Sequence, residues 1–261
     1  MSDAPHPLTE ERLDRFARHI VLPEIGGAGQ AALARSHVVL VGLGGIGAPA
    51  LQYLAGAGVG QLTLIDDDKV SASNLQRQTI YTTRDIGHGK AVSARRWLAN
   101  FDEKLSVSIH DRRIGAENVG TMIEGADLVL DGTDNFATRL TVSDACVAAG
   151  IPLLSAAVGR FQGQVGAFAG HRPDQSCYRC FVGDAFDAED CDTCAEDGVL
   201  GAMVGWVGTF ASMQAIRLLV SGSGAMGDPQ YGMLHLMDGL KPGMRTLSIA
   251  KDPGCSGCSA T

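Results

Sequence analysis

Short apolar runs alternate with longer stretches of helical periodicity through the first 160 residues or so of the chain. The apolar runs are typical of strands buried on both faces, and lie at His37–Val41, Leu62–Ile65, Val107–Ile109, Leu128–Leu130 and Pro152–Ala156. Helices are predicted at about Thr9–Val21, Ile46–Ala57, Lys90–Asn100, Glu117–Glu124 and Ala137–Ala149. This alternation predicts an α/β fold with a mostly parallel sheet and helices on both faces.

The rhythm changes after Gly159. Turn-separated strand candidates and a cysteine-rich loop follow, and two short strands are predicted at Met233–Met237 and Arg245–Ile249. No proline- or serine-rich linker separates the two parts. We therefore expect a single domain covering all 261 residues, with a first half of about 30–158 and a second half of about 159–261 that extends the sheet.

One stretch of the second half, Gly198–Val220, is apolar over a length that would span a membrane, with Arg217 as its only charge. Its glycines, serine and glutamine favour a helix buried in the fold, with a membrane span as the alternative. The first residues, Met1–Pro7, lack the pattern of a secretion signal. We expect a cytoplasmic protein that is not embedded in a membrane.

Composition narrows the classes of partner. The formal net charge of -8 argues against non-specific binding to nucleic acid or to anionic lipid. A hydrophobic content of 45% supports a sizeable core, as expected for a globular protein of this length.

A glycine-rich turn, Gly42-Leu43-Gly44-Gly45-Ile46-Gly47, joins the first predicted sheet strand to the next helix. Glycines in this position let the backbone approach phosphate groups, and the helix N-terminus supplies N–H donors. Asp66 follows the next strand, where a carboxylate can bond ribose hydroxyls. The pattern predicts a Rossmann-like nucleotide-binding half. A nicotinamide or flavin dehydrogenase would show the same features, as would a glycine turn with only a packing role.

The segment after Asp66 favours a triphosphate. Arg77 can neutralise phosphate oxygens, and Asn74 can donate a neutral hydrogen bond. Lys90 adds a mobile cation at the start of a predicted helix, and Asp134, just past a buried strand, offers an oxygen ligand to magnesium. Each of these charges alone would be an ordinary surface group, but together, beside a phosphate-binding turn, they predict a site.

Six of the seven cysteines form three close pairs: Cys177 with Cys180, Cys191 with Cys194, and Cys255 with Cys258. Without a secretion signal, such pairs favour metal or redox chemistry over disulfides. Two pairs together suit a tetrahedral four-thiolate zinc site. Spacing alone leaves open which pairs hold the metal and whether one is a redox-active dithiol. Cys146, which stands alone, is predicted to be a small buried hydrophobe.

Taken together, these segments resemble the MoeB/ThiF family, the bacterial relatives of ubiquitin-activating enzymes. The resemblance runs from Arg15 to Cys258. Its most specific parts are Val41–Gly45, Ser73–Gln78, Gly132–Asn135, and Cys177–Cys180 with Cys255 and Cys258. It implies an ATP-dependent adenylyltransferase whose first half binds the nucleotide and whose second half binds a protein partner.

The resemblance also implies residue roles. Asp66 holds the ribose, Asn74, Arg77 and Lys90 contact the phosphates, and Asp134 binds or positions magnesium. The remaining nucleotide-binding residues it implies are Gly42, Gly44, Gly45, Gly47, Gln78 and Asn135. Arg18 is similar to an arginine that reaches the ATP of a neighbouring subunit, which implies a homodimer.

The implied reaction is attack by the partner's C-terminal glycine carboxylate on the α-phosphate of ATP, which leaves an acyl-adenylate and pyrophosphate. The carboxylate is already ionised, so this step needs no protein nucleophile. We expect catalysis by positioning and by charge neutralisation from Arg18, Arg77, Lys90 and magnesium.

For the cysteines, the resemblance assigns a structural zinc ion to Cys177, Cys180, Cys255 and Cys258. Cys194 matches a cysteine that some family members use for a covalent link to the activated partner and that others carry without evident need. It is therefore a candidate catalytic residue. Cys191 lies outside the family pattern, and is either incidental or forms a reversible disulfide with Cys194.

The sequence departs from the family pattern at a few positions. Ala17 and His19 stand where asparagine and glutamine are expected beside Arg18, and Ser143 stands where asparagine is common. For Arg139, a salt bridge on the helix surface is favoured over contact with the substrate carboxylate.

The predicted partner is a ubiquitin-like sulfur-carrier protein ending in Gly-Gly, of the ThiS or MoaD kind, with sulfur supplied by a separate protein. Molybdenum-cofactor synthesis, thiamine synthesis and tRNA thiolation all use relatives of this kind, and the sequence does not choose among them. Three alternatives stay open: adenylation of a peptide or tRNA-linked carboxylate, a NAD-dependent oxidoreductase, and a non-catalytic zinc-binding scaffold.

Overall fold

A computed structural model describes residues 8–183, 198–222 and 226–259, and in these ranges the strands form one eight-stranded sheet. The strands are β1 (His37–Val41), β2 (Gln61–Ile65), β3 (Ser106–His110), β4 (Leu128–Asp131), β5 (Leu153–Gly159), β6 (Gln162–Phe168), β7 (Met233–Asp238) and β8 (Gly243–Ser248). The helices are α1 (Glu10–Arg15), α2 (Ala17–Ile20), α3 (Gly26–Arg35), α4 (Gly47–Ala57), α5 (Lys90–Phe101), α6 (Val119–Met122), α7 (Phe136–Ala149), α8 (Tyr178–Val182) and α9 (Gly201–Val220).

The strand order is β3-β2-β1-β4-β5-β6-β7-β8, with the first five strands parallel and the last three antiparallel to their neighbours. The predicted mostly parallel α/β fold, extended by a second-half sheet region, is therefore confirmed. The predicted boundary between the halves falls at the β5–β6 turn, and one sheet crosses it. β1 lies between β2 and β4, which is the switch point where ligands bind in open parallel sheets.

Helices cover both faces of the sheet because alternate strand residues pack on opposite sides. In β1, Val38 and Leu40 join the core cluster that contains α4, α5 and α9. Val39 and Val41 join the second cluster, which contains α6, α7 and α8. Since all five residues of β1 are buried, the strand lies at the centre of the molecule.

The long apolar helix α9 begins at Gly201, three residues later than predicted. Among the described residues it is the one helix long and apolar enough to cross a membrane, and 56% of its apolar window is buried inside the fold. It packs against α4, β5 and β6. These contacts support the interpretation as a core helix, while a cytoplasmic location stays a prediction.

The single N-terminal helix predicted at Thr9–Val21 was wrong, because the chain breaks into α1 and α2 at Phe16. Thr9 is the N-cap, as predicted, and its side chain accepts from the backbone N–H of Arg12. Phe16 is only 2% exposed, and its ring lies close to Gly58 at the end of α4. Burying this ring against the body of the protein therefore takes precedence over a continuous helix.

The helix predicted at Glu117–Glu124 is also shorter than expected. Asn118 accepts a hydrogen bond from the N–H of Gly115 and donates to the carbonyl of Arg113, so its side chain stabilises a turn in place of a helical start. The observed helix is α6, Val119–Met122.

Candidate nucleotide site and cysteine cluster

The carboxyl ends of β1, β2 and β4 open into a cavity of about 790 Å³, a size typical of small-ligand sites. The predicted nucleotide-binding residues that line it are Gly42, Gly44, Gly45, Asp66, Asn74, Arg77, Gln78, Lys90, Asp134 and Asn135. Gly47, the remaining predicted residue, is the first residue of α4 and does not line the cavity. The structure therefore brings nearly the whole predicted site into one place.

The turn between β1 and α4 requires glycine for two different reasons. Gly42 has φ +84, a left-handed conformation that side chains disfavour. At Gly47 the limit is space, because a Cβ there would overlap the carbonyl oxygen of Gly42. No side chain caps α4. The Ala48 N–H already donates to the carbonyl of Gly44 at 3.0 Å and Pro49 has no N–H, so the donors for an anionic ligand would be backbone N–H groups of the turn itself.

Asp66 ties the glycine turn to the end of β2. Its Oδ2 accepts from the N–H of Leu43 at 2.7 Å, and its Oδ1 accepts from the N–H of Asp68 at 2.9 Å. Burial raises the pKa of this carboxyl, and the positive charge of Lys90 opposes the rise. Asp66 thus already fixes the turn from which a nucleotide would be held.

The segment from Ser71 to Gln78 is folded by its own polar side chains. The Oδ1 of Asn74 accepts from the N–H of Ser71 at 3.1 Å, which leaves the amide N–H groups as the donors for a ligand. Arg77 donates to the carbonyl of Ser73 at 3.0 Å and stays half-buried. Gln78 is 3% exposed, and its buried Oε1 has no hydrogen-bond partner among the described residues.

Lys90 differs from the mobile cation that was predicted. It is the first residue of α5, is only 5% exposed, and its Nζ lies 2.8 Å from Oδ2 of Asp68. The prediction was wrong because the helix start is packed into the cavity wall. A buried lysine paired with an exposed carboxylate is a fixed positive charge at the cavity.

Asp134 and Asn135 lie in the loop between β4 and α7. Asn135 is the N-cap of α7, and its Oδ1 accepts from the N–H of Thr138 at 2.9 Å. Asp134 is exposed in the cavity, with no hydrogen-bond or ion-pair partner in the ranges that the structure describes. Its oxygens are therefore available to a cation, which suits the magnesium role predicted for it.

Arg139 does not form the surface salt bridge that was favoured for it. It is 5% exposed and lines the cavity. Its guanidinium donates to Ser155 Oγ at 3.1 Å, to the carbonyl of Ala156 at 2.9 Å and to the carbonyl of Thr133. The prediction failed because Arg139 faces the sheet from the first turns of α7, and its helical position alone does not show this.

A second cluster lies beside α7, where four cysteine sulfurs are within 4.8 Å of one another. Sγ–Sγ distances are 3.9 Å for Cys177–Cys180, 3.6 Å for Cys177–Cys255 and 3.5 Å for Cys180–Cys258. Four sulfurs at zinc–thiolate bond length from a tetrahedral centre lie about 3.8 Å apart. The geometry of these two pairs therefore fits a metal ion. Cys191 and Cys194 lie outside the described residues.

The surroundings of the four sulfurs are unequal. Burial raises the pKa of the Cys177 thiol, and raises that of Cys258 to about 11. Burial also raises the pKa of the Cys180 thiol. Hydrogen bonds from the Asp252 N–H and from the other three cysteines of the cluster outweigh burial, so that the pKa of Cys180 is lowered. Arg179, between the two ligands of the first pair, forms a two-pronged ion pair with Asp144 of α7 at 2.7 Å. This pair holds the cysteine segment against the nucleotide-binding half.

The ThiF family model matches residues 16–257, nearly the whole chain. The chain belongs to the ThiF family. Three curated relatives are each 39% identical over 96% of the chain. They are named SAMP-activating enzyme E1 (Haloferax volcanii), sulfur carrier protein adenylyltransferase (Thermus thermophilus) and molybdopterin-synthase adenylyltransferase (Salmonella typhimurium), and the chain spans 90%, 92% and 98% of their lengths. The predicted family and the predicted enzyme class, an adenylyltransferase, are therefore confirmed.

A solved structure of E. coli MccB with MccA-N7isoASN has the same fold. The TM-score is 0.81 at 20% identity, and the match covers 97% of this chain and 76% of that one. At this identity the likeness concerns the fold alone.

In this ThiF-family chain, Arg18 does not line the cavity. It is exposed on α2. The role predicted for it, at the nucleotide of a second subunit, stays a prediction.

Sequence reasoning missed Arg112 and Arg113, which follow β3 and line the cavity at its edge beyond β2. The signal was present, because the carboxyl ends of neighbouring parallel strands meet at one edge of the sheet. A pair of arginines after a predicted strand of that sheet therefore belonged among the candidates.

Proposed function

We propose that this ThiF-family protein is an ATP-dependent adenylyltransferase that activates the C-terminal glycine of a ubiquitin-like sulfur carrier of the MoaD or ThiS kind. The names of its relatives, which include sulfur carrier protein and molybdopterin-synthase adenylyltransferases, support this substrate class. The observation that carries the proposal is the cavity at the switch point of the sheet. It joins a glycine turn to fixed cations and to Asp134, a carboxylate that has no ion-pair partner in the described part of the chain.

In the proposed step, an oxygen of the carrier's terminal carboxylate forms a bond to the α-phosphorus of ATP. The bond from the α-phosphorus to the bridging oxygen breaks, and pyrophosphate leaves with that electron pair. No proton is removed, so the site needs no general base. The N–H groups of the glycine turn, the amide of Asn74 and the charges of Arg77 and Lys90 would hold the phosphates and stabilise the departing charge.

Magnesium is the divalent ion that the donor set favours, because Asp134 presents to the cavity a carboxylate with no partner among the described residues. When bound, magnesium would neutralise phosphate oxygens. Asp66 would accept a hydrogen bond from a ribose hydroxyl. The carboxylate oxygen that does so would at the same time keep its present bond from the N–H of Leu43 or of Asp68.

The four-cysteine cluster is proposed to hold zinc in a closed structural site, since all four positions are filled by thiolates from the chain. Zinc there would join the segment at Cys177 to the tail at Cys258. No step of the reaction needs it.

A homodimer is proposed from the surface around Arg18. Close to it in sequence, Val21 and Leu22 are 71% and 45% exposed, so α2 ends in uncovered apolar side chains. Covering them with a second copy would bring Arg18 to a neighbouring subunit. A separate protein is proposed as the sulfur donor, because the proposed step consumes ATP and the carrier and supplies no sulfur.

The proposal is tested by ATP–pyrophosphate exchange with purified protein, offered MoaD-like and ThiS-like carriers separately, each with and without its terminal glycine. We expect exchange with one of the two carriers, and we expect it to require both magnesium and the terminal glycine. The exchange rate should fall at least tenfold in Arg77→Ala, because a charged hydrogen-bond donor to phosphate is lost.

Arg95→Ala is the matched control, because Arg95 is an exposed arginine of α5 that does not line the cavity. It should exchange like the unmodified protein. A protein that binds ATP but exchanges pyrophosphate with neither carrier would overturn the proposed substrate class.

A further inference from the structure

Arg139 is a buried cation on the cavity wall to which the proposed reaction gives no role. Its three hydrogen bonds go to neutral oxygens: the hydroxyl of Ser155 and the carbonyls of Thr133 and Ala156. It has no carboxylate partner within the ranges that the structure describes. An arginine with only a packing role is normally paired with a carboxylate or exposed to solvent. Among the described residues Arg139 has no carboxylate partner, and it is buried.

The three bonds join parts of the chain that are separate in sequence. Thr133 lies in the loop between β4 and α7, which also carries Asp134 and Asn135. Ser155 and Ala156 lie in β5, next to β4 in the sheet. One side chain from the first turns of α7 thus fixes the loop against the neighbouring strand.

The loop in turn touches the glycine turn. A Cβ on Gly42 would lie only 3.2 Å from backbone atoms of Gly132 and Thr133, so there is little room between the two backbones. A shift of Thr133 would therefore move Asp134 and press on Gly42. Arg139 therefore acts on the cavity through Thr133, beside both Asp134 and Gly42.

Among the described residues, no carboxylate forms an ion pair with Arg139. The nearest buried carboxylate in sequence, Asp131, is 0% exposed and accepts from the N–H and hydroxyl of Thr133 at 2.9 and 2.7 Å. It makes no bond to Arg139. Burying a cation without a counter-ion costs free energy, and an anionic ligand in the cavity would offset that cost.

We propose that Arg139 is a positioning residue of the nucleotide site, which holds the Gly132–Asn135 loop against β5 and gives the cavity wall a net positive charge. The proposal deepens the proposed function and rests on ATP as the ligand. It does not depend on the identity of the carrier.

The test is equilibrium binding of ATP, without any carrier, to the unmodified protein, Arg139→Ala, Arg139→Lys and the control Arg95→Ala. Arg139→Ala should bind at least tenfold more weakly, because several bonds from a charged donor are lost. Arg139→Lys keeps the charge but can reach fewer acceptors, so its affinity for ATP should lie between those of the unmodified protein and Arg139→Ala. Millimolar guanidinium chloride should restore binding in Arg139→Ala, whereas sodium chloride at equal ionic strength should not.

A purely structural role predicts the opposite pattern. The variants would then unfold at lower temperature, the folded protein would bind ATP as tightly as the unmodified protein, and guanidinium would give no recovery. Either unchanged affinity or weak binding without recovery overturns the proposal. If Arg139→Ala does not fold, the Arg139→Lys affinity decides, since a value equal to that of the unmodified protein overturns it as well. An unmodified protein that binds ATP but exchanges no pyrophosphate refutes the proposed substrate and leaves this test intact.

Discussion

Gly47 is the residue at which the site tolerates least change, although it does not line the cavity. A methyl group there would overlap the carbonyl oxygen of Gly42, a backbone atom that has little room to move. We expect Gly47→Ala to weaken ATP binding at least tenfold and to lower the free energy of unfolding by about 1–3 kcal/mol, because the turn must shift. Isothermal titration and urea unfolding would measure the two effects.

The matched control is Gly205→Ala in α9, where a Cβ meets nothing within 4 Å. Alanine in a helix interior without a clash should raise stability by about 0.4–1 kcal/mol. If Gly47→Ala were as stable as this control and bound ATP normally, the close approach of Gly47 to Gly42 would not be what requires a glycine at this position.

Several polar side chains around the cavity are held in place before any ligand arrives. Lys90 is held by Asp68, and Asp66 is held by two backbone N–H groups. The site is therefore ordered in advance, and its cations need little rearrangement to meet phosphate. Arg139 belongs to the same arrangement, with main-chain oxygens in place of a carboxylate.

Among the elements, the N-terminal helices depend on a few polar contacts because they bury little apolar surface. Arg12 pairs with Asp102 at the end of α5, and Arg15 donates to the carbonyl of Phe101 at 2.9 Å. These contacts fix the segment that carries Arg18. A dimer that used Arg18 would depend on them.

Asp102 makes this attachment sensitive to pH. Burial raises the pKa of its carboxyl, but the bonds from Arg12 and from the Lys104 N–H outweigh burial, and the pKa is lowered from 3.8. The stabilisation is therefore fully present above pH 3.8 and is lost as the pH falls through the lower, folded-state pKa. We expect Asp102→Asn to reduce the free energy of unfolding at pH 7 by about 1–2 kcal/mol, and the difference to shrink as the pH falls below 3.8.

Urea unfolding at several pH values measures this effect. Glu11→Gln is the matched control, because the Glu11–Lys104 pair is exposed and such pairs contribute little. A difference for Asp102→Asn that stayed constant as the pH fell would show that ionisation of Asp102 is not its source.

At the scale of the whole molecule, the sequence predicted the sheet well because both of its signals are local. Buried parallel strands appear as short apolar runs, and the glycine turn marks the switch point. Of the eleven residues predicted to bind the nucleotide, all except Gly47 line the cavity. The names of the relatives confirm the enzyme class.

The failures have a common physical cause. The break at Phe16, the burial of Lys90 and the bonds of Arg139 depend on which side chains the packed fold brings together across long sequence distances. Helical periodicity does not contain that information. The choice among three cysteine pairs was open for the same reason, and the geometry of the described cluster favours Cys177 and Cys180 with Cys255 and Cys258.

The cysteine cluster joins the last residues of the described chain to the rest of the molecule, since Cys255 and Cys258 meet a pair more than seventy residues earlier. We expect about one zinc ion per chain, bound by these four thiolates. Cys255→Ala should lose it and unfold at lower temperature, because the metal no longer closes this long loop. Cys146→Ala, which removes a buried thiol outside the cluster, should keep the zinc. Metal analysis with thermal unfolding checks both variants. If zinc were retained in Cys255→Ala but lost in Cys194→Ala, the metal would be bound by the third pair. The tail at Cys258 would then be held by packing alone.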